Sequence, residues 1–305
     1  MKRCHHQGGY PFCRTRARCE KHDILPEEQC GFRPGRSTVN MLFVVRRLQE
    51  LARRRSIPLY MCFVDLQKAH DPVDQELLWR MLARAGILEE MIAVIRQFHD
   101  GMQARVRMDD GELSEWSEVT QGLRRGRVLS PLLLNIFFAA ALELVLVQFS
   151  EDDAIFRDLA VWGILCAEDA GFESRSVVGL ARMMTIIVEV FGAFGLTMSE
   201  KKKKTLLMKV PEKKPEKGAP PPPPPPPAAP LVIEAAGQKY AQRVEFRYLG
   251  RRVREDIELS QDINQRSRAA WACLRKYARE LFDRPTAPWG LKIRLLKAEA
   301  MEALL

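Results

Sequence analysis

An unbroken apolar run that ends in a carboxylate constrains this chain more than any other feature. The run extends from Leu59 to Val64, follows Pro58 and leads into Asp65. Because apolar and polar residues do not alternate in it, we predict a β-strand that is buried on both faces. A buried carboxylate is costly unless a cation meets it. Asp65 is therefore either a half-solvated residue that caps a turn or a metal ligand at the mouth of a sheet, and this stretch alone leaves both interpretations open.

Composition and charge narrow the class of protein. The chain has 305 residues, of which 47% are hydrophobic, so it can bury a sizeable core as one large or two smaller domains. A net charge of +9 favours an acidic partner, with nucleic acid ahead of an anionic membrane, and ordinary solubility charge is the alternative. The seven cysteines and the polar, basic N-terminus predict reduced thiols and an intracellular protein of the cytoplasm or nucleus.

Helix signals flank the apolar run. Ser37 or Thr38 caps one predicted helix, which shows apolar residues at helical spacing. Asp74 begins a second helix and Gly86 ends it. Farther along, alternating residues predict an antiparallel hairpin over residues 102–120.

The longest apolar stretch, Val128 to Phe149, raises the question of a membrane span. Asn135 and Glu143 lie inside it, and Ser130-Pro131 has the form of a helix start, with proline at the first helical position. We therefore predict a helix buried in the protein and no membrane partner.

The first 24 residues are rich in basic residues, cysteine and histidine. Their possible zinc ligands are Cys4, His5, His6, Cys13, Cys19 and His22. The spacing lacks the paired CxxC half of a common zinc finger. We expect residues 1–24 to be a disordered basic leader.

Two further stretches change the interpretation of Asp65. They are Gln121 to Asn135, which reads QGLRRGRVLSPLLLN, and Leu165 to Ala170, which reads LCAEDA. Together with residues 58–74, and in this order, they resemble the palm of a non-LTR (LINE-type) retrotransposon reverse transcriptase; group II intron reverse transcriptases are more distantly similar. The resemblance covers six ordered motifs, from about Glu28 to the C-terminus.

The resemblance implies an α+β fold of the right-hand polymerase type, in which an antiparallel palm sheet is backed by helices and joined to fingers and a truncated thumb. The implied division is fingers-like segments 25–58 and 75–120, palm segments 59–74, 121–210 and 231–253, a proline-rich insertion 211–230 and a partial thumb 254–305. The segment Phe246-Arg247-Tyr248-Leu249-Gly250 resembles the primer-grip hairpin.

By the same resemblance, Asp65, Glu168 and Asp169 are the catalytic residues and the ligands of two Mg²⁺ ions. The reaction would be RNA-directed DNA synthesis, a phosphoryl transfer in which two metal ions stabilise the attacking and leaving oxygens. Relatives carry aspartate where this chain has Glu168, and an aromatic residue where it has Cys166. Because small misplacement of a catalytic group can cost about 100-fold in rate, we expect strongly reduced or absent catalysis.

The resemblance also implies a binding surface for the RNA template, the DNA primer and the incoming dNTP. Its residues would be Arg33, Arg36, His70, Gln121, Gly122 and Lys202. The first two lie in a glycine- and proline-containing turn that should expose both guanidinium groups for phosphate contact. Each has a simpler alternative: a solvated basic turn for the arginines, a partly exposed turn residue for His70, and a solvated charge run for Lys202.

A low-complexity segment, Pro211 to Pro230, contains eight consecutive prolines from Pro220 to Pro227. It is either a tolerated insertion or a polyproline II rod that binds an SH3- or WW-type partner. Two hypotheses therefore stand beside an impaired polymerase. One is a catalytically dead nucleic-acid-binding relic, and the other is an interaction protein that uses the proline rod.

Overall fold

The computed structural model describes residues 9–109, 111–124, 126–149, 163–166, 169–199, 204–207 and 231–301. The helices are α1 (Gly9–Lys21), α2 (Thr38–Arg55), α3 (Gln75–Arg84), α4 (Glu89–Gln97), α5 (Ser130–Gln148), α6 (Val177–Ala193), α7 (Ser260–Tyr277) and α8 (Trp289–Leu295). The strands are β1 (Tyr60–Asp65), β2 (Gln103–Ala104), β3 (Ser117–Glu118), β4 (Gly163–Cys166), β5 (Asp169–Ser174), β6 (Lys204–Leu207), β7 (Val232–Ala235), β8 (Gln238–Arg243), β9 (Glu245–Tyr248) and β10 (Arg251–Arg254). Two π-helical segments, Ala278–Phe282 and Leu296–Met301, follow α7 and α8.

Strand β1 lies inside the main sheet. Among the described residues this sheet has six strands in the order β4-β5-β1-β6-β8-β7, and β1 pairs antiparallel with both β5 and β6. Met61 and Cys62 are fully buried, and Phe63 and Val64 are nearly so. The predicted strand buried on both faces is therefore confirmed.

The two faces of this sheet are covered differently. On the helix face, which we define by Cys62, Val64 and Phe172, helices α3, α5 and α6 pack in one large apolar cluster. On the opposite face, defined by Met61 and Phe63, helix α2 and the β9–β10 hairpin form a second, smaller cluster. Because successive side chains of a strand point to opposite faces, one apolar run supplies both clusters.

The predicted helix boundaries agree with the structure. Ser37 precedes α2, and its backbone N–H donates to Asn40 Oδ1 at 2.9 Å. Asp74 caps α3, where its Oδ1 accepts from Leu77 N–H at 2.8 Å. Gly86 follows that helix with a φ of +71°, a conformation that glycine adopts without strain.

Helix α5 is the described helix that is long and apolar enough to cross a membrane. It is largely buried: 61% of its apolar window lies inside the protein, where it packs against α3 and α6. Pro131 occupies the first turn, as predicted. The length and apolar composition of α5 are therefore those of a helix in the protein core.

The expectation of a disordered leader is wrong for residues 9–24. Helix α1 forms there, and Thr15 and Cys19, four residues apart on one face, are buried at 2% and 0% exposure. Burial raises the pKa of the Cys19 thiol to about 12. Arg18 lies over Gly86, where a side chain on the glycine would collide with its guanidinium. Contacts with distant elements, rather than a strong local signal, therefore order this helix; Cys4, His5 and His6 lie outside the described residues.

The predicted hairpin over residues 102–120 is only partly correct. Its regular strands are only the two-residue strands β2 and β3, and an isolated bridge joins Arg107 to Leu113. Val106 and Trp116 are more than half exposed, so the alternation does not mark a buried face. Arg105 instead lies over the Trp116 ring, 4.1 Å from its centroid.

Candidate active site

The structure brings two of the three predicted catalytic carboxylates together. Asp65 ends β1, Asp169 begins β5, and the two are direct partners in the antiparallel register. Directly opposed residues in such a pair have Cβ atoms about 4.5–5.5 Å apart. Both residues line one small cavity of about 50 Å³. Asp65 and Asp169 lie on the same sheet face as Phe63, because they alternate along their strands with residues that point to the helix face.

Strands β4 and β5, which flank the third predicted carboxylate in the sequence, pair antiparallel. Cys166 and Asp169 are register partners, so the connection consists of residues 167 and 168. Glu168 lies outside the described residues. A further hydrogen bond holds the backbone at Asp65: Ser199 N–H donates to the Asp65 carbonyl oxygen at 2.8 Å.

Aromatic rings form the wall of the carboxylate cavity. The Phe63 ring lies 4.6 Å from the Phe246 ring and 4.5 Å from the Tyr248 ring, measured between centroids. Gly171 makes room for this arrangement, because a Cβ there would lie only 2.9 Å from the Phe63 ring. The β9 strand is therefore seated directly beside the two aspartates.

Tyr248 lines this cavity and has a buried hydroxyl. The residue is 4% exposed, and its hydroxyl has no hydrogen-bond partner in the described part of the chain. Burial, and next the charge of Asp169, raise the pKa of Tyr248 well above its ordinary value. The hydroxyl is therefore a neutral donor beside the carboxylates.

The carboxylate pair fits a hard divalent cation. Mg²⁺ and similar ions take oxygen ligands, and Asp65 and Asp169 offer carboxylates from adjacent strands to one cavity. Within the described residues, which omit positions 167 and 168, no group of three metal-ligating side chains is assembled.

The prediction that the basic turn exposes Arg33 is wrong. Its side chain is 4% exposed and forms a salt bridge with Glu20 at 3.0 Å. The guanidinium also donates to the carbonyl oxygens of Pro26 at 2.8 Å and Leu25 at 3.3 Å. These partners engage the guanidinium in holding the turn against α1, so it is not presented to a phosphate.

Arg36 is more accessible than Arg33. Its side chain is 25% exposed and pairs with Glu27, whose own side chain is 78% exposed. That hydrogen bond is the main cause of the raised pKa of Arg36, and it lowers the pKa of Glu27. An ion pair at the protein surface contributes little to stability.

A second, larger cavity is lined by residues that follow Asp65 in the sequence, beginning with Leu66. It has a volume of about 530 Å³ and is lined by Leu66, Lys68, Ala69, His70, Gly126, Arg127, Val128, Ser130 and Pro131. His70, one of the predicted nucleotide-binding residues, is half-buried at its edge. Gln121 is exposed, and Lys202 lies outside the described residues.

Gly122 packs closely against the protein backbone in a conformation that favours glycine. Its φ is +85°, and a Cβ there would lie 2.8 Å from the Asp71 carbonyl oxygen. Its N–H donates to Val73 O at 2.8 Å, and the next residue, Leu123, donates to His70 O at the same distance. The close approach that this glycine allows is to the protein backbone at residues 70 and 71, and contact of Gly122 with a nucleotide stays a prediction.

Two buried polar residues near the site, Asn135 and Glu173, differ in how much the sequence reveals of them. Asn135 Nδ2 donates to Gly31 O at 2.7 Å, which ties α5 to the basic turn. Glu173 is buried on the carboxylate face of β5, and burial raises its pKa to about 8. In the sequence Glu173 is simply one polar residue of a short strand, and only its partners across the sheet reveal its position.

The chain is similar to known proteins in its sequence family and in its fold. Residues 14–253 match the family model described as Reverse transcriptase (RNA-dependent DNA polymerase). Among solved structures, apo telomerase from Candida tropicalis aligns with a TM-score of 0.51 at 12% identity, over 85% of this chain and 41% of that one. Telomerase from Candida albicans, solved in complex with a TWJ fragment of telomeric RNA, aligns with a TM-score of 0.49 at 12% identity, over 68% of this chain and 35% of that one. The chain thus spans about two fifths or less of the length of these structures, and at such identity the likeness concerns the fold alone.

Proposed function

Because the chain belongs to the reverse transcriptase (RNA-dependent DNA polymerase) family, we propose that it is an RNA-directed DNA polymerase domain of a non-LTR retrotransposon whose activity is impaired by Glu168. The observation that carries this proposal is the register pairing of Asp65 with Asp169 beside one cavity. The motif order supports the retrotransposon origin. Glu168 replaces a family aspartate and is one methylene longer.

In this proposal residues 59–74, 121–210 and 231–253 form the palm, residues 25–58 and 75–120 belong to the fingers, and residues 254–305 are part of a thumb. Asp65, Glu168 and Asp169 would hold Mg²⁺, which when bound supplies charge stabilisation to the attacking and leaving oxygens. The chain itself fixes two of these carboxylates on opposed strand ends. Tyr248 contributes a neutral hydroxyl beside them.

The RNA template, DNA primer and dNTP would bind around the larger cavity. Its volume, about 530 Å³, lies in the range of small-molecule sites, about 300–1,000 Å³. His70 and Arg127 line it, which suits the sugar and phosphates of a nucleotide. Arg36, Gln121 and Lys202 are the further proposed contacts. Arg33 is not among them, because its guanidinium is held inside the protein.

Primer extension on an RNA template with Mg²⁺ tests the polymerase proposal. We expect weak or no extension by the natural chain and clear extension by Glu168→Asp. The double variant Glu168→Asp with Asp65→Asn should lose it again. Extension that does not change with either substitution would contradict the assignment of the site.

A nucleic-acid-binding relic is the second candidate, and the replacement at Glu168 together with the net charge of +9 favours it. It predicts duplex binding that weakens steeply with salt, and no extension by Glu168→Asp. The proline rod, Pro220 to Pro227, lies outside the described residues. Loss of an SH3- or WW-domain interaction on its deletion would support the interaction role.

A further inference from the structure

Two cysteines meet beside the candidate active site. The segment before the basic turn forms a parallel bridge with β4, in which Gln29 is the partner of Leu165. Cys30 N–H donates to Leu165 O at 2.8 Å, and Leu165 N–H donates to Glu28 O at 2.9 Å. In a parallel ladder the next residues along both strands are also opposed, so Cys30 lies across from Cys166.

Burial indicates that both sulfurs point to the same side. Leu165 belongs to the apolar cluster on the helix face, so its neighbour Cys166 points to the opposite face. Cys30 and Cys166 both pack against the second cluster, which contains Tyr248. Both cysteines also act on the Tyr248 hydroxyl, whose pKa is raised first by burial and then by Asp169, Cys166 and Cys30.

The backbone geometry suits a disulfide. Neighbouring strands lie about 4.7–4.9 Å apart, and disulfides join residues with Cα atoms about 4.4–6.8 Å apart. Cys30 and Cys166 are both half-buried thiols, so a small reagent can reach them. Cys19 and Cys62 are fully buried and serve as internal references.

We propose that Cys30 and Cys166 form a site of reversible oxidation, at which a low-molecular-weight disulfide of the glutathione type converts the two thiols into an intramolecular disulfide. One protein sulfur attacks the small disulfide, breaks its S–S bond and releases one small thiol. The second protein sulfur attacks the mixed disulfide and releases the other small thiol. Two electrons and two protons pass to the small disulfide, which leaves as two thiols. This oxidation does not depend on the proposed polymerase activity.

Oxidation would tie the basic turn to the hairpin of Asp169. Cys30 precedes the turn, and Cys166 is the register partner of Asp169. The bond would close a loop of more than 130 residues, a length for which the loss of unfolded-chain entropy is large. It would therefore lock the segment of Cys30 to the strand pair that carries Asp169.

Peptide mapping of the full chain tests this proposal. The folded chain is treated with oxidised glutathione, alkylated and digested with trypsin. We expect a reducible link between peptides 22–36 and 158–175, while Cys62 stays unalkylated until the protein is denatured. Both peptides recovered in alkylated form, or Cys166 linked to another cysteine, would overturn the proposal.

Two variants sharpen the experiment. Cys30→Ser should abolish the link, whereas Cys273→Ser, which removes a half-buried cysteine of α7, should leave it intact. The oxidised natural chain should also melt several degrees higher than the reduced chain, and Cys30→Ser should show no such shift. An equal oxidant-dependent shift in Cys30→Ser would contradict the pairing.

Discussion

The two faces of the main sheet use the same strands for different purposes. On the helix face, Cys62, Val64 and Phe172 belong to one large apolar cluster. On the opposite face, the same strands carry Asp65 and Asp169 beside a much smaller apolar cluster.

The polar groups of the second face are poorly compensated. Glu173 Oε2 and the Tyr248 hydroxyl are both buried with no hydrogen-bond partner in the described part of the chain. Because such groups cost about 1–3 kcal/mol each, this face gives up stability that the helix face supplies. In the function proposed above, the helix face holds the fold and the other face carries the carboxylates of the active site.

The largest effect is expected on the helix face. Phe172 is fully buried there, and Phe172→Ala should lower the free energy of unfolding by about 3–5 kcal/mol through lost burial and a residual cavity. Urea denaturation measures this change. Val178→Ala, at a position 76% exposed on α6, is the control and should stay within about 0.5 kcal/mol. A similarly small effect of Phe172→Ala would remove the distinction between the faces.

The next largest effect depends on pH and concerns Glu173. Burial raises its pKa from 4.5 to about 8, so the folded chain holds this proton more tightly than the unfolded chain. The resulting stabilisation is fully present below pH 4.5 and is lost as pH rises toward 8. We expect Glu173 to cost about 2–4 kcal/mol of unfolding free energy between pH 5 and pH 9.

Glu173→Gln provides the matched comparison for this pH dependence. The amide cannot ionise, so the variant should be more stable than the natural chain at pH 9 and nearly equal to it at pH 5. Urea denaturation at both pH values measures the difference. Parallel pH profiles for the two proteins would show that Glu173 does not carry the effect.

A smaller loss is expected from crowding the aromatic wall. Gly171→Ala would bring a Cβ to 2.9 Å from the Phe63 ring, which is itself packed against Phe246 and Tyr248. We expect a loss of about 1–3 kcal/mol, measured by thermal or urea unfolding. Adding Phe63→Leu should relieve part of the collision. If the double variant is less stable than the sum of the single effects, this packing argument fails.

The smallest effect is expected at Tyr248. Tyr248→Phe removes a buried hydroxyl without a described partner and keeps the ring, so stability should rise by about 1 kcal/mol. If the hydroxyl serves the site, the same substitution in a Glu168→Asp background should slow primer extension. A variant that loses stability would instead indicate a hydrogen bond that matters to the fold.

Much of the sheet could be predicted from the sequence because its signal is local. The run from Leu59 to Val64 is too apolar for any surface strand, and Asp74 and Gly86 are residues that helix ends require. The pairing of Asp65 with Asp169 was different: the residues are more than 100 positions apart, and only the resemblance suggested that they meet.

The errors of prediction concern residues whose role depends on distant partners. Arg33 looked like a surface cation, and only the presence of α1 with Glu20 shows that it is buried. Helix α1 itself was missed because its order comes from tertiary packing of Thr15 and Cys19, which short-range patterns do not reveal.

Binding of Mn²⁺, a hard divalent cation visible by electron paramagnetic resonance, tests the shared carboxylate site most directly. Asp65→Asn and Asp169→Asn should each weaken Mn²⁺ binding by about tenfold or more, because the two side chains serve one ion site. Asp100→Asn, which neutralises an exposed carboxylate just after α4, should bind Mn²⁺ as the natural chain does. Unchanged Mn²⁺ affinity in both Asp65→Asn and Asp169→Asn would contradict the account.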